Sequence, residues 1–287
     1  MIQSVDRAVR ILAVLGSGPP RLGVTEIADR VGLAKPTVHG LLRTLEHHDL
    51  VAQDPDTGRY SLGPGVVSLG NSFLGGSELR ARSLRWTEVL ARKAGEAVWV
   101  ATLSGPRVIV LHHVFRPDDT VQILEVGATI PWHACALGHA IVAHQPASEQ
   151  ARALASDLVP LTGRTRTTKA ALRRALAQVR RQGLAIEDQE ATVGDAGIAA
   201  PIFGRESVAG AVGVVGAADR LLIPAAGQPD LDRPGAVRPD AVGPDPTGPS
   251  EARPDLARAV QEAARAISRD LGAGRGSPLG PVLSALS

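Results

Sequence analysis

The feature that most constrains this chain is a spacing. Ala28 is followed four positions later by Gly32, and Val38 stands ten positions after the alanine. Where two helices cross closely only a small side chain fits. The turn between them needs a left-handed backbone, which glycine adopts cheaply. A β-branched residue then fills the inner face of the second helix. Small residue, glycine and β-branched residue at these offsets are the packing pattern of a helix-turn-helix. The surroundings agree. Residues 25–31 predict a short helix with Thr25 as its cap, and Gly32 breaks it. Pro36 suits a first helical position, and a further helix is predicted from there to His48. Ile27, Leu41, Leu42 and Leu45 supply the core between the two.

Upstream, Val5, Ala8, Val9, Leu12 and Leu15 recur at helical spacing, which predicts a helix over 4–15 capped by Ser4. Downstream, 51–53 and 59–62 read as short strands around Asp54-Pro55-Asp56-Thr57-Gly58, a run with strong turn chemistry. Three helices and a hairpin in that order make a winged helix-turn-helix. The exposed side of the third helix offers Lys35, Thr37, His39, Gly40, Arg43 and Thr44. In this motif the first turns of that helix enter the major groove of duplex DNA. Arg43 then suits guanine edges, Thr37 thymine methyls or phosphate, and Lys35 phosphate. Thr25 and Pro36 at the helix starts and Arg59 in the hairpin complete the expected DNA-contacting set. Taken singly, each basic residue reads equally well as solvated surface. Bulk charge does not decide between the two, because residues 1–63 hold seven Lys or Arg and seven Asp or Glu. Pattern carries the reading. At 2% aromatics the chain lacks the stacking platforms of a single-strand binder.

The remaining chain changes character. Pro64 and nearby glycines mark a boundary, and 66–74 form an apolar helical stripe. Helices are predicted over 79–94, 137–144, 168–182 and 255–271, and strands over 97–103, 108–114, 121–126, 184–187, 198–203 and 208–215. The strands come in two groups of three with short loops, which favours antiparallel pairing and an α+β domain. Residues 221–254 include eight prolines among 34 positions and show no periodicity, so composition reads them as a disordered insertion. The expected organisation is a DNA-binding domain over 1–63, a linker helix over 64–78, a second domain over 79–275 containing that insertion, and a flexible tail over 276–287. One cysteine, Cys135, excludes an internal disulfide and fits a reducing cytosol. No apolar run is long enough to span a membrane, and the first residues lack a signal-peptide core. A cytoplasmic location is expected.

Several stretches resemble the IclR family of bacterial regulators: Ser4-Val5-Asp6-Arg7-Ala8, Thr25-Glu26-Ile27-Ala28, Lys35-Pro36-Thr37-Val38-His39-Gly40-Leu41-Leu42 and Gly58-Arg59-Tyr60-Ser61-Leu62-Gly63. His133-Ala134-Cys135-Ala136-Leu137-Gly138-His139-Ala140 resembles that family's effector-domain signature. The resemblance covers residues 1–222 and 255–275. It implies a GAF-like effector-binding domain, a homodimer or homotetramer on a pseudo-palindromic operator, and repression relieved by a metabolite. Glu78-Leu79-Arg80-Ala81-Arg82 and 112–119 resemble the family's glycerol-responsive branch. That implies control of glycerol uptake and catabolism genes, with glycerol or glycerol 3-phosphate as inducer.

The expected effector contacts follow partly from residues and partly from that resemblance. The chain from Ile130 to Gly138 enters a helix whose first N–H groups suit an anionic or polyol ligand. Trp132, His133, Ala134 and Gly138 belong to this segment. Trp132 reads either as an apolar wall or as plain core. Glu187 matches the place of a ligand-binding carboxylate in keto-acid sensors of the family, and Gly197 lies on the returning chain. Gly213 and Val215 stand where those sensors carry serines, which argues against a keto acid. The alternative is an IclR-type sensor of a small organic acid from another pathway. Of His112 and His113, which alternate along a strand, at most one faces a pocket. A phosphorylated ligand calls for a cation, for which Arg116, His133 and Arg164 are candidates. A remote alternative is a thiol enzyme using Cys135 with His133 or His139, though no third group orients such a pair. No nucleotide loop, metal-ligand cluster or nucleophile elbow is present in the sequence, so no cofactor or metal is expected.

Overall fold

The computed structural model describes residues 2–118, 122–223 and 250–273. The chain divides into two compact units between Ser77 and Glu78.

In the first unit α1 (Gln3–Ser17), α2 (Val24–Val31) and α3 (Lys35–His47) precede a hairpin of β1 (Val51–Gln53) and β2 (Tyr60–Leu62), and α4 (Gly65–Gly75) follows. Ile11, Ile27, Ala28, Val38, Leu42 and Tyr60 form one buried cluster. Gly32 ends α2 with φ of 67°, and its N–H is donated to Ala28 O, the left-handed turn that the spacing requires. The two expected caps differ. Gly23 rather than Thr25 flanks α2, because the Glu26 carboxylate reaches back to accept the Gly23 N–H at 2.7 Å. Thr25 lies exposed in the first turn. Ile2 rather than Ser4 flanks α1, without a side-chain cap. Asp54 turns the hairpin by accepting the N–H groups of Asp56 and Thr57, each at 3.0 Å. The hairpin is tied to the rest by paired bonds between Leu22 and Tyr60 of 2.8 and 2.9 Å.

The second unit is built on one antiparallel sheet. Its strands are β3 (Ala97–Ser104), β4 (Arg107–Val114), β5 (Thr129–Pro131), β6 (Ala185–Asp188), β7 (Asp195–Phe203) and β8 (Val208–Ala217). Their order is β5-β4-β3-β8-β7-β6. The two sequence groups of three thus meet through the β3–β8 pairing. Helices α5 (Glu78–Ala94) and α10 (Pro254–Asp270) pack on one face. The other face carries α6 (Ala136–Ala143), entered through a 3₁₀ turn at Trp132–Ala134, and α8 (Lys169–Gln182) packs on α6. The short α7 (Ala147–Leu154) lies between α6 and α8 in sequence, and α9 (Ala218–Leu221) follows β8.

Two sequence readings are corrected here. The strand expected over 121–126 is absent from its described part, where Ile123 and Leu124 are 77% and 61% exposed. The strand that pairs with β4 is β5, whose register sets Pro131 against Arg107. A proline is tolerated there because β5 is an edge strand. The ends of the expected insertion are also ordered. Leu221 is fully buried, and β9 (Leu222–Ile223) pairs antiparallel with β10 (Glu251–Ala252). The expected disorder of 224–249, and that of the tail, lie outside the described residues.

Candidate functional site

In the first unit, α3 buries Val38, Leu42 and Leu45 and turns its other side outward. Lys35, Pro36, Thr37, His39, Gly40, Arg43 and Thr44 are all exposed. Thr44 donates its hydroxyl to Gly40 O at 3.1 Å. Among the described residues Lys35 and Arg43 have no carboxylate partner. Arg59 does, pairing with Glu26 at 2.6 Å. That partner holds Arg59 beside the start of α2, close to Thr25. The first turn of α3 has no side-chain cap, so its leading N–H groups point free along the helix axis. The unit therefore presents an exposed helix with two unpaired cations, hydroxyls and open N–H groups on one side. Of the seven carboxylates in this unit, Asp54 and Glu26 are occupied by Arg21 and Arg59.

In the second unit the candidate effector residues gather on the sheet face under α6. Register places Glu187 opposite Gly197, and Gly197 opposite Val215. Residues directly opposite share a face. A Cβ added to Gly197 would lie 3.3 Å from the Ala136 Cβ and 3.5 Å from Glu187 Oε2. Gly197 thus sits between the start of α6 and the Glu187 carboxyl. The first turn of α6 leaves the N–H groups of Ala136 and Leu137 without helical acceptors. Glu187 Oε1 accepts the N–H groups of Glu190 and Ala191, at 2.5 and 3.3 Å. Burial nevertheless dominates and pushes its pKa to about 8, helped by the neighbouring Glu190 and Asp188. Glu190, also buried, is raised to about 7 by desolvation against the pull of Arg166, whose Nη1 lies 3.1 Å from Oε1.

The other candidates are placed in the packing. Trp132 is fully buried, and its Nε1–H is shared between Ala153 O at 3.2 Å and Ser156 Oγ at 3.3 Å. Ala134 is fully buried too, and His133 binds Val159 O through Nε2 at 3.0 Å. Gly138 gives its N–H to Cys135 Sγ at 3.4 Å, and any Cβ there would overlap the Trp132 carbonyl. Gly213 is hemmed by the β7 backbone. Of the candidate cations, Arg164 pairs with Asp188 at 2.6 Å, and Arg116 pairs with Asp118. His113 faces the α6 side, opposite Trp99, and His112 the other. Sequence reasoning missed Glu190 and Arg166. Glu190 falls in a polar run that reads as surface, and only a partner 24 residues away explains its burial.

Residues 4–55 match the family profile of the IclR helix-turn-helix domain, and 71–225 match that of the bacterial transcriptional regulator IclR C-terminal region. The chain belongs to the IclR family of bacterial transcriptional regulators. It is 43% identical over 275 residues to the glycerol operon regulatory protein of Streptomyces griseus, covering 96% of this chain and 98% of that one. It is 42% identical over 275 residues to the protein of the same name from Streptomyces coelicolor, with the same coverage. An IclR transcriptional regulator crystal structure from Alicyclobacillus acidocaldarius superposes with a TM-score of 0.72 at 27% identity, covering 95% of this chain and all of that one.

As an IclR-family member the protein is a DNA-binding regulator with a helix-turn-helix and an α+β effector domain. The thiol-enzyme alternative loses its chemical basis. Cys135 is buried, desolvation lifts its pKa to about 12, and its sulfur contacts Pro131 O and the Gly138 N–H. His139, whose pKa burial drops to about 3, binds His133 O instead. A thiol held so far above neutrality is not a nucleophile. Among the described residues no helix is long and apolar enough to cross a membrane.

Proposed function

We propose that this protein represses a glycerol uptake and catabolism operon and leaves its operator when a small polyol binds the effector domain. One observation carries the reading: two relatives named glycerol operon regulatory protein match 275 residues at 43% and 42% identity, with 98% of each relative covered. The polyol reading also suits the chemistry under α6. A protonated Glu187 donates and accepts hydrogen bonds, as hydroxyl groups do. Arg164 and Arg166 are held by Asp188 and Glu190, so an anionic group, the phosphate of glycerol 3-phosphate included, would have to draw one of these cations from its carboxylate, whereas hydroxyl groups need no such exchange.

The operator is a pseudo-palindrome read by the α3 helices of a homodimer, with half-sites about one helical turn apart. Ile2 flanking α1, Val5 and Val9 on α1, and Val67, Leu69 and Phe73 on α4 are exposed apolar side chains of the first unit, suited to burial against a second copy. The domain boundaries that fit this reading are a DNA-binding unit through Gly63, a linker helix containing α4 and an effector domain beyond it. Coupling requires that the ligand favour one dimer arrangement over the other. Tenfold release needs a preference of about 1.4 kcal/mol, within reach of one charged hydrogen bond.

Operator binding followed by fluorescence anisotropy tests both halves. Arg43→Ala is expected to weaken operator affinity by roughly 1–3 kcal/mol and to relax preference at one base. Lys35→Ala is expected to weaken all sequences alike and to flatten the salt dependence. Glycerol or glycerol 3-phosphate releases the operator and pyruvate does not. Intact affinity in Arg43→Ala would remove α3 as the reading face. Release by pyruvate alone would return the effector to the organic acids.

A further inference from the structure

Two buried donors on the effector face are left without acceptors. The chain has three tryptophans. Trp86 donates its indole N–H to Asp270 Oδ2 at 2.8 Å, and Trp132 donates to Ala153 O at 3.2 Å. Trp99 alone has a buried Nε1–H with no partner among the described residues. Directly opposite it in the β3–β4 pairing stands His113, only 8% exposed, with ring centroids 5.8 Å apart in an edge-to-face arrangement. His113 Nδ1 accepts the backbone N–H of Glu125 at 3.2 Å. An accepting Nδ1 in a neutral ring places the proton on Nε2. Burial lowers the pKa of His113, which favours that neutral ring. Nε2–H is therefore a second buried donor, and it too lacks a partner among the described residues.

Burying a donor without an acceptor is costly, and native proteins rarely leave one so. Two adjacent orphans of the same sign, with no acceptor beside them, form the complement of an oxygen-rich ligand. Their place supports this. Trp99 packs against the buried cluster that holds Trp132, Ala136 and Leu137. The residue opposite Trp99 on its other side is Gly213, closely backed by Ile198 and Ala199 of β7, so no side chain from that position offers Trp99 an acceptor. Following the register across, Trp99, Gly213, Ala199 and Ala185 share the face of Glu187. The backbones of β3 and β6 are three strand spacings apart, about 14 Å. The donor pair and Glu187 thus form opposite poles of that face.

We propose that Trp99 Nε1–H and His113 Nε2–H donate hydrogen bonds to an acceptor oxygen of the effector, as a polar pole of its site distinct from Glu187. This rests on the reading of the second unit as an effector domain. The test is the indole N–H region of a proton–nitrogen correlation spectrum of the full chain, titrated with glycerol, glycerol 3-phosphate and pyruvate. Trp99→Phe assigns the Trp99 signal. With a binding probe that signal is expected to move downfield while those of Trp86 and Trp132 stay in place. His113→Asn, whose amide oxygen can still accept the Glu125 N–H, is expected to weaken the same probe about tenfold. A probe that raises the melting temperature while the Trp99 signal stays still, or that binds His113→Asn as tightly as wild type, overturns this proposal and leaves the effector reading standing. A wild-type chain that binds none of the three probes overturns both.

Discussion

Gly138→Ala is expected to destabilise the second unit by about 3 kcal/mol or more, with little effect on the first. Helix α6 begins two residues after the end of the 3₁₀ turn that holds Trp132, with only Cys135 between them, and Gly138 is the point where the two meet. An added Cβ would overlap the Trp132 carbonyl oxygen and lie 2.6 Å from its Cα. These are backbone atoms, so no rotamer change relieves the overlap. Either α6 shifts, lifting Ala136 from Gly197, or the 3₁₀ turn shifts, pulling the fully buried Trp132 from its bond to Ala153 O. All three tryptophans, Trp86, Trp99 and Trp132, belong to the second unit, so intrinsic tryptophan fluorescence follows that unit alone. The expected fall in melting temperature is roughly 6–12 °C. A variant that melts like wild type yet ignores the effector would instead make Gly138 a ligand contact.

How much of this was legible in the sequence depends on the range of the interaction that decides each element. The Ala28, Gly32 and Val38 pattern is local, and all three adopt the environments that the spacing demands: Ala28 and Val38 are 3% and 0% exposed, and Gly32 is left-handed. Thr25 is not the cap because α2 starts at Val24, one residue earlier, which puts Thr25 inside the first turn, while Glu26 at the third helical position accepts the Gly23 N–H. Ile123 and Leu124 read as strand because apolar residues in short runs usually have a partner. Here the neighbouring strand position is taken by Thr129–Pro131, too short and too proline-bounded to announce itself. Leu221 and Leu222 were absorbed into a proline-rich composition, although the strand pairing with Glu251 and Ala252 anchors them. In the effector domain Glu187 was legible only through resemblance. Its buried state depends on the covering α6 and on the chain turning at Glu190, and neither follows from its own neighbours. The same holds for Trp99 and His113, whose shared face exists only once β3 pairs with β4.

The buried carboxyl pair Glu187 and Glu190 makes the stability of the second unit depend on pH in an unusual direction. For most proteins paired carboxylates are stabilised as anions, and acid removes that contribution. Here burial raises both groups above the ordinary value of 4.5, Glu187 to about 8 and Glu190 to about 7. A group whose folded pKa lies above its unfolded one binds its proton more tightly in the folded state. Its contribution is fully present below about pH 4.5 and is lost as pH rises through the folded value. The two interact, so they titrate as a pair. Arg166 stands beside Glu190 and not Glu187, which leaves the more persistent proton on Glu187. Wild type is therefore expected to lose a few kcal/mol of stability between pH 5 and 9 from this pair. Glu187→Gln keeps the shape, cannot ionise, and its amide oxygen can still accept the Glu190 N–H. It should flatten the fall above pH 7 and raise the melting temperature at pH 9 relative to wild type. Thermal unfolding followed by tryptophan fluorescence at several pH values measures this. An unchanged slope in Glu187→Gln would mean that this carboxyl is already ionised at neutral pH. In that state it would accept hydrogen bonds from effector hydroxyls but donate none, and the polyol would have to supply every proton at this pole of the site.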